Sequence, residues 1–310
     1  MPVVKAALRG PALGAALISG AMLVFTLMQG FIKAAEVPAG QAVFFRSFFA
    51  MPVIFLWLWR TGHLHDGLKT KRWQSHAVRG LVGTTAMGLG FAGLIYLPLP
   101  EVTAIRFATP IMMVVLAALI LGERFRLFRL GAVLMGLLGV LIIIWPRLGG
   151  SVGDAATLGA LLTLGSAALA ALAQIFVKGM ANQESTSAIV FYFSLTATLA
   201  GLATLPFGWD WLTLEQTLFL IAAGLFGGVG QILLTSSYRF AEAGALAPFT
   251  YSSMIWSIIV GWIWFLEIPT VQMLIGALIV IMAGFIIVWR ERQLGRDNTA
   301  RRKVRAKGLQ

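Results

Sequence analysis

Long apolar runs follow one another along the chain, separated by short polar segments. Runs of about 20 apolar residues are long enough, as helices, to cross the hydrocarbon core of a bilayer. The pattern predicts ten transmembrane helices, at residues 11–32, 39–59, 78–97, 101–121, 127–145, 156–177, 187–208, 216–237, 243–266 and 270–289. Because the connections are short, we expect consecutive helices to run antiparallel.

One of these runs is repeated in the second half of the chain. Residues 13–35 (LGAALISGAMLVFTLMQGFIKAA) and residues 158–180 (LGALLTLGSAALAALAQIFVKGM) are identical at nine of 23 positions. So long a period indicates duplication of a multi-helix unit. We therefore predict a first five-helix repeat at residues 1–147, a second at 148–290 and a basic tail at 291–310. Since five is an odd number, the second repeat is inverted in the membrane.

The placement of positive charge predicts the orientation. Of the 24 Lys and Arg residues, twenty fall on the side of the amino terminus, and only Lys33 and Arg147 lie on the other side. Cytoplasmic segments of membrane proteins carry the excess of Lys and Arg. Both termini are therefore expected in the cytoplasm of a bacterial inner membrane. The net charge of +12 is then assigned to anionic lipid headgroups and not to a nucleic acid.

Composition excludes several classes of function. The chain is 59% hydrophobic and 12% charged, and it has no cysteine for a disulfide or a thiolate metal site. His63, His65 and His76 fall in the predicted loop at residues 60–78, where we expect solvated side chains and no metal. No carboxylate lies near the middle of a predicted span, which argues against a proton relay. We predict no catalytic residue, no metal and no cofactor.

Two arginines lie within predicted spans. A charged side chain in hydrocarbon is costly unless it faces protein or a water-filled cavity. Arg46 and Arg106 each lie about 8–10 Å from the outer start of a helix, at 1.5 Å per residue. We therefore expect them to share one layer and to bind an anionic group of a substrate. The alternative is a structural role, in which Arg46 bonds helix carbonyls or reaches outward to the headgroups.

Several polar side chains are candidates for hydrogen bonding to a substrate. Thr26 and Gln29 fall on one face of the first span, and Gln174 occupies the position equivalent to Gln29 in the repeat. In the eighth span, Gln231 and Thr235 lie on one stripe. We predict that Gln29, Gln174 and Gln231 line a cavity, although such residues also join helices to one another in membranes.

Two predicted spans contain an internal proline. Pro110 interrupts the fourth span and Pro248 the ninth, a pattern associated with the midplane sites of transporters. Tyr251 and Trp256 lie near Pro248, and Tyr192 lies in the seventh span. Their rings are candidates for contact with an apolar or aromatic part of a substrate. The alternative is that these rings simply pack between helices.

Several motifs, in order and spacing, resemble the drug/metabolite transporter superfamily, in particular its EamA-type branch. They are VFFRSFFA at 43–50, ATPIMMVVLAALILGE at 108–123, GAVLMGLLGVLIII at 131–144, and the counterparts at 247–267 and 276–288. The resemblance extends over residues 10–290. It implies an alternating-access carrier with a central cavity formed by spans 1–4 and 6–9, and with spans 5 and 10 as peripheral support.

From these features we predict a carrier for a small polar metabolite that bears a carboxylate or another anionic group. One alternative is uptake of a vitamin or cofactor-like compound such as riboflavin or S-adenosylmethionine, which the resemblance to related branches allows. Another is a flippase for lipid headgroups. The expected partners are the metabolite and membrane lipids, and the expected state is a monomer or a weak homodimer.

Overall fold

A computed structural model describes most of the chain. The described residues are 2–62, 67–70, 72–121, 127–148, 153–180, 184–237, 240, 246, 249–286 and 289. All regular structure within these ranges is helical, without a strand. The predicted basic tail at 291–310, His63, His65 and Pro248 lie outside the described residues.

The described helices follow the predicted apolar runs. They are α1 (Pro2–Ala35), α2 (Ala39–Phe48), α3 (Ala50–Arg60), α4 (Trp73–Tyr96), α5 (Leu99–Arg106), α6 (Thr109–Leu121), α7 (Leu127–Leu148), α8 (Gly153–Met180), α9 (Thr186–Leu202), a short 3-10 helix (Leu205–Phe207), α10 (Leu214–Ser237), α11 (Ser252–Phe265) and α12 (Val271–Ile286).

Among the described residues, five stretches are both long and apolar enough to cross a membrane. They are Ala12–Ala35, Ala39–Arg60, Trp73–Tyr96, Ala155–Val177 and Leu214–Leu234. Many large apolar side chains on the helix surfaces are exposed, among them Trp59, Leu119 and Trp145 at 67%, 72% and 67%. An exterior of this kind suits contact with lipid. The prediction of an all-helical membrane protein is thereby confirmed.

The third predicted span begins earlier than its hydropathy indicates. We placed its start at residue 78, but α4 already begins at Trp73. The assignment of His76 to a solvated loop is therefore wrong, because this side chain lies in the helix and is only 1% exposed. The first turn of α4 is polar in sequence, since Gln74 and Ser75 precede His76. Its burial comes from packing against another part of the chain.

Two spans are broken, each a few residues before a proline. Pro110 has no N–H for the carbonyl of Arg106, and α5 ends there. The Thr109 hydroxyl donates to that freed carbonyl at 2.7 Å. The predicted interruption of the fourth span is thus confirmed. A second break, at Phe49 between α2 and α3, comes before Pro52 and was not predicted.

The helices of the first half pack mainly against those of the second half. α1 lies along α10, and α4 lies along α8. α2 contacts α9, and α5 contacts α11. Small residues allow the closest approach, as where Gly93 of α4 faces the backbone of Gly159 of α8. The candidate site lies in this interface between the two halves.

At the outer layer of helices, α7 and α12 cross backbone to backbone. A Cβ atom added at Gly139 of α7 would lie 2.8 Å from the carbonyl oxygen of Gly276 and 3.0 Å from the nitrogen of Val280. A Cβ atom added at Gly131 of the same helix would meet nothing within 4 Å. The crossing therefore requires glycine at position 139 and does not require it at position 131.

We expect Gly139→Ala to lower the free energy of unfolding by about 1–3 kcal/mol, the usual cost of overpacking a tight contact. The matched control, Gly131→Ala, is expected to be neutral or to stabilise the helix by up to about 1 kcal/mol. Unfolding of the purified protein in detergent, followed by circular dichroism, measures both values. Equal effects of the two substitutions would contradict the described crossing of α7 and α12.

Candidate functional site

Arg46 of α2 is buried in the interface between the halves. Its side chain is 6% exposed, and its Nε atom has no hydrogen-bond partner. Its guanidinium carbon lies 5.9 Å from the ring centre of Phe193 in α9. Gly227 of α10 faces the Nε atom, and a Cβ atom there would approach it to 3.1 Å. Among the described residues, no carboxylate or helix carbonyl accepts a hydrogen bond from this guanidinium.

A second arginine faces the same ring, and it is not the one that we predicted. Arg79 of α4 has its guanidinium carbon 4.2 Å from the ring centre of Phe193. Its Nε and Nη1 atoms are buried without a partner. In the charge count we assigned Arg79 to the cytoplasmic side, although it lies just inside the predicted third span at 78–97. Apolar neighbours on both sides, Val78 and Leu81, were the signal that it belongs to the helix.

Arg106 has a different neighbour. Its Nη1 atom donates a hydrogen bond to the Oε1 atom of Gln29 at 3.2 Å, which joins α5 to α1. The Gln29 amide in turn donates to the carbonyl of Phe25 at 3.2 Å. Met28, the residue before Gln29, lies close to Gly227 of α10, and Arg46 faces the same glycine. No contact joins Arg46 to Arg106 in the described structure, so the expected shared layer of these two guanidiniums stays a prediction.

The other two glutamines are less buried than Gln29. Gln174 of α8 is exposed and Gln231 of α10 is half-buried, whereas Gln29 is 8% exposed. Within the described chain, neither Gln174 nor Gln231 makes a hydrogen bond through its side chain. Their role as substrate ligands therefore stays a prediction.

Of the three predicted aromatic residues, two have partners within the protein. The Tyr192 hydroxyl donates to the carbonyl of Leu68 at 3.2 Å, and its ring centre lies 4.8 Å from that of His76. Tyr251 packs between Phe107 and Phe285, with ring centres 5.0 and 5.2 Å away.

Trp256 of α11 differs from these two tyrosines in its hydrogen bonding. Its Nε1 atom is buried without a hydrogen-bond partner. An unpaired indole N–H in such a place is available to an acceptor on a ligand.

One end of the interface is bridged by an ion pair. Lys33, at the end of α1, pairs with Glu267 at 2.5 Å and donates to the carbonyl of Leu97 at 2.7 Å. The Glu267 carboxylate also accepts the backbone N–H of Leu99 at 2.8 Å. Three elements are joined by these bonds: the end of α1, the α4–α5 connection and the segment between α11 and α12.

The opposite end of the interface is bridged as well. The Nε2 atom of His76 lies 3.3 Å from the Oε2 atom of Glu184, and both side chains are almost fully buried. Ser185 and Ser187 donate to the carbonyl of Gly67 at 2.9 and 2.8 Å. These contacts join the start of α4 to the connection between α8 and α9.

The fold and this interface agree with a comparison of the sequence with known families. The sequence model of the EamA-like transporter family matches residues 11–145 and again residues 157–289. The chain belongs to the EamA-like transporter family. It is therefore a transporter rather than an enzyme, as the names of its relatives also indicate.

Similar proteins carry names that state different cargoes. The pseudopaline exporter CntI of Pseudomonas aeruginosa is 28% identical over 269 residues, which cover 85% of this chain and 91% of that protein. The riboflavin transporter of Vibrio cholerae is 26% identical over 93% of this chain and 97% of that protein. The S-adenosylmethionine uptake transporter of Rickettsia prowazekii is 26% identical over 82% and 84%.

A solved structure shares the fold. A protein crystal structure superimposes with a TM-score of 0.62 at 18% sequence identity, over 88% of this chain and 96% of that one. The similarity supports the helical architecture. It carries no information about the cargo.

We expect the Lys33–Glu267 pair to contribute a measurable coupling energy. A double-mutant cycle of Lys33→Met and Glu267→Gln should give about 1–2 kcal/mol, between the values typical of exposed pairs and those of fully buried pairs. Unfolding of the four proteins in detergent measures it. If the two single effects simply add, the pair does not hold this end of the interface together.

Proposed function

We propose that this protein is a secondary transporter of the bacterial inner membrane that moves a small polar metabolite carrying a carboxylate or another anionic group. Transport proceeds by alternating access, in which two inverted five-helix halves rock about a site between them. The observation that carries the proposal is the buried guanidinium of Arg46, which lies in the interface of the halves without a counter-ion among the described residues.

The positive charge of Arg46 requires compensation within the protein. A positive charge inside a membrane protein is costly unless an anion or several acceptors compensate it. Arg46 has neither within the described structure, although a guanidinium can form two parallel hydrogen bonds to one carboxylate. An anionic group on the substrate supplies the missing compensation. Ionisable residues within transmembrane segments commonly mark substrate or ion pathways.

Arg106 and its glutamine form a second polar position in the interface. Gln29 is a neutral partner, so the hydrogen bond between them leaves the charge of Arg106 uncompensated. In our proposal Arg46 and Arg106 bind the anionic part of the substrate. Gln29, Gln174 and Gln231 bind its polar body, and the unpaired indole of Trp256 contacts a ring or an acceptor. Tyr192 and Tyr251 reach the substrate only if the transport cycle releases their contacts within the protein.

The contacts between helices support a two-fold relation between the halves, and the odd number of spans in each half makes that relation an inversion. The repeat maps α1 onto α8 and α4 onto α10, so the pair α1–α10 corresponds to the pair α4–α8, and both pairs pack closely. The pair α1–α11 likewise corresponds to α8–α6. The match of the family to two successive segments agrees with this division. A pseudo-two-fold axis in the membrane plane accounts for all three observations.

A second candidate cargo is a vitamin or cofactor-like compound. Similar proteins are named as transporters of riboflavin and of S-adenosylmethionine, and the unpaired indole of Trp256 suits a compound with ring acceptors. For such a cargo the arginines are structural and the aromatic residues dominate binding.

The orientation of the repeat is testable because the chain has no cysteine. Thr61 follows the second span, and Trp211 follows its counterpart in the second half; both are exposed. We expect a membrane-impermeant maleimide to label Trp211→Cys in intact cells. Thr61→Cys is expected to react only after the cells are opened. Labelling of both positions from the same side would contradict the inversion.

The cargo class is testable by thermal unfolding of the purified protein. An anionic metabolite at 100 times its dissociation constant should add about 2.7 kcal/mol of stability. Amino acids, carboxylates, phosphorylated metabolites and vitamins form the screen. In Arg46→Gln the gain should fall to about 1.4 kcal/mol or less, as a tenfold loss of affinity implies. Arg106→Ala is expected to behave in the same way.

Arg60→Gln is the matched control, because Arg60 is exposed at the end of α3. It should keep the full stabilisation. Stabilisation by neutral ring compounds that is equal in the wild type and in both arginine variants would overturn the anionic cargo and favour the vitamin-like alternative.

A further inference from the structure

We propose that Arg79 is the second arm of the substrate site and that, together with Arg46, it selects a substrate with two negative charges, such as a dicarboxylate or a phosphate monoester. The proposal rests on the proposed function, since it assigns the substrate class of the same transporter. It adds Arg79 to the arginines of the sequence prediction, because Arg79 faces the same ring as Arg46.

Arg46 lies on α2 and Arg79 on α4, and both guanidiniums face the ring of Phe193 on α9. Two helices of the first half and one helix of the second half therefore meet at this point. A site at such a junction is reached by every relative movement of the halves, as alternating access requires.

Arg46 and Arg79 place two positive charges at the same point of the interface. The two guanidinium carbons lie 5.9 and 4.2 Å from the centre of the same ring, and no carboxylate of the described residues pairs with either guanidinium. Like charges this close are destabilising unless an anion lies between them. A ligand with one negative charge compensates one arm only. A ligand with two negative charges, or a phosphate with three acceptor oxygens, compensates both.

Both guanidiniums also carry hydrogen-bond donors without partners. The Nε atom of Arg46 and the Nε and Nη1 atoms of Arg79 are buried without acceptors. Buried donors in proteins are almost always paired. Three unpaired donors on two neighbouring guanidiniums indicate a missing acceptor with several oxygens. An oxyanion is the ligand that matches this set of donors.

The positions of the two arms depend on glycines. A Cβ atom at Gly83 of α4 would lie 3.0 Å from the ring of Phe193, and one at Gly227 would lie 3.1 Å from the Nε atom of Arg46. Both glycines let the ring and the guanidinium approach the backbone of the opposite half.

The competing explanation is that both arginines only stack on Phe193. Cation–π contacts of this kind stabilise proteins without any ligand. A structural role predicts that removal of Arg79 lowers stability and leaves the preference among anions unchanged. A ligand role predicts that removal of Arg79 changes the preference among anions. A loss of stability alone does not change that preference.

The test measures the binding of three probes, succinate, inorganic phosphate and acetate, to the full chain in detergent at constant ionic strength. Isothermal titration gives the dissociation constants. We expect the wild type to bind succinate or phosphate about tenfold or more tightly than acetate, the factor expected for one additional charge-assisted hydrogen bond. Arg79→Gln should reduce this preference to about twofold or less. Arg60→Gln should leave the preference unchanged.

A conservative variant covers the case in which Arg79→Gln does not fold. Arg79→Lys keeps the charge but loses the planar fork of donors. It should bind succinate and phosphate less tightly than the wild type by a factor of about three to ten, while its affinity for acetate stays the same. Size-exclusion chromatography and the melting temperature establish that each variant is folded before its binding is measured.

The outcomes separate the two proposals. An unchanged preference for the dianions in folded Arg79→Gln or Arg79→Lys overturns the role of Arg79, while loss of all anion binding in Arg46→Gln still supports the anionic cargo. If the wild type binds none of the three anions, the role of Arg79 is overturned. That result also removes the support for an anionic cargo.

Discussion

A positive charge held away from water is the constraint on which the interior of this protein depends. Hydroxyl groups near the middle of the helices, such as those of Thr26 and Ser166, are neutral and donate to backbone carbonyls. Arg46 differs from them, because it is charged and buried and its Nε atom has no partner. Removing a guanidinium from water costs several kcal/mol if nothing compensates it. In the proposed function, an anionic group of the substrate provides this compensation.

The two ends of the interface differ from its middle in the partners of their polar groups. At one end Lys33 pairs with Glu267, and at the other the His76 ring lies beside the carboxylate of Glu184. The arginines at Phe193 have no such partner among the described residues. Paired charges hold surfaces together, whereas unpaired charges of one sign attract a mobile ion. This division of roles suits a carrier whose ends open in turn while its centre binds the cargo.

The length and order of the apolar runs were enough to predict the helices, because a bilayer fixes how long an apolar helix must be. The break before Pro110 was predictable for a chemical reason, the missing N–H. The partners of the arginines were not. Spacing along a helix gives the depth of Arg46 and Arg106, but the rotation of each helix decides which side chains meet. Hydropathy also averages over a window, so the polar first turn of α4 concealed the burial of His76.

Relatives named for different cargoes align with this chain over most of their length, so the helical framework cannot by itself decide what is carried. In our proposal, selection comes from a few side chains in the interface, among them the two guanidiniums at one aromatic ring. Because the free energy of compensating a buried charge is large, we expect a change at either arginine to alter the choice of cargo more than a change of the surrounding apolar residues.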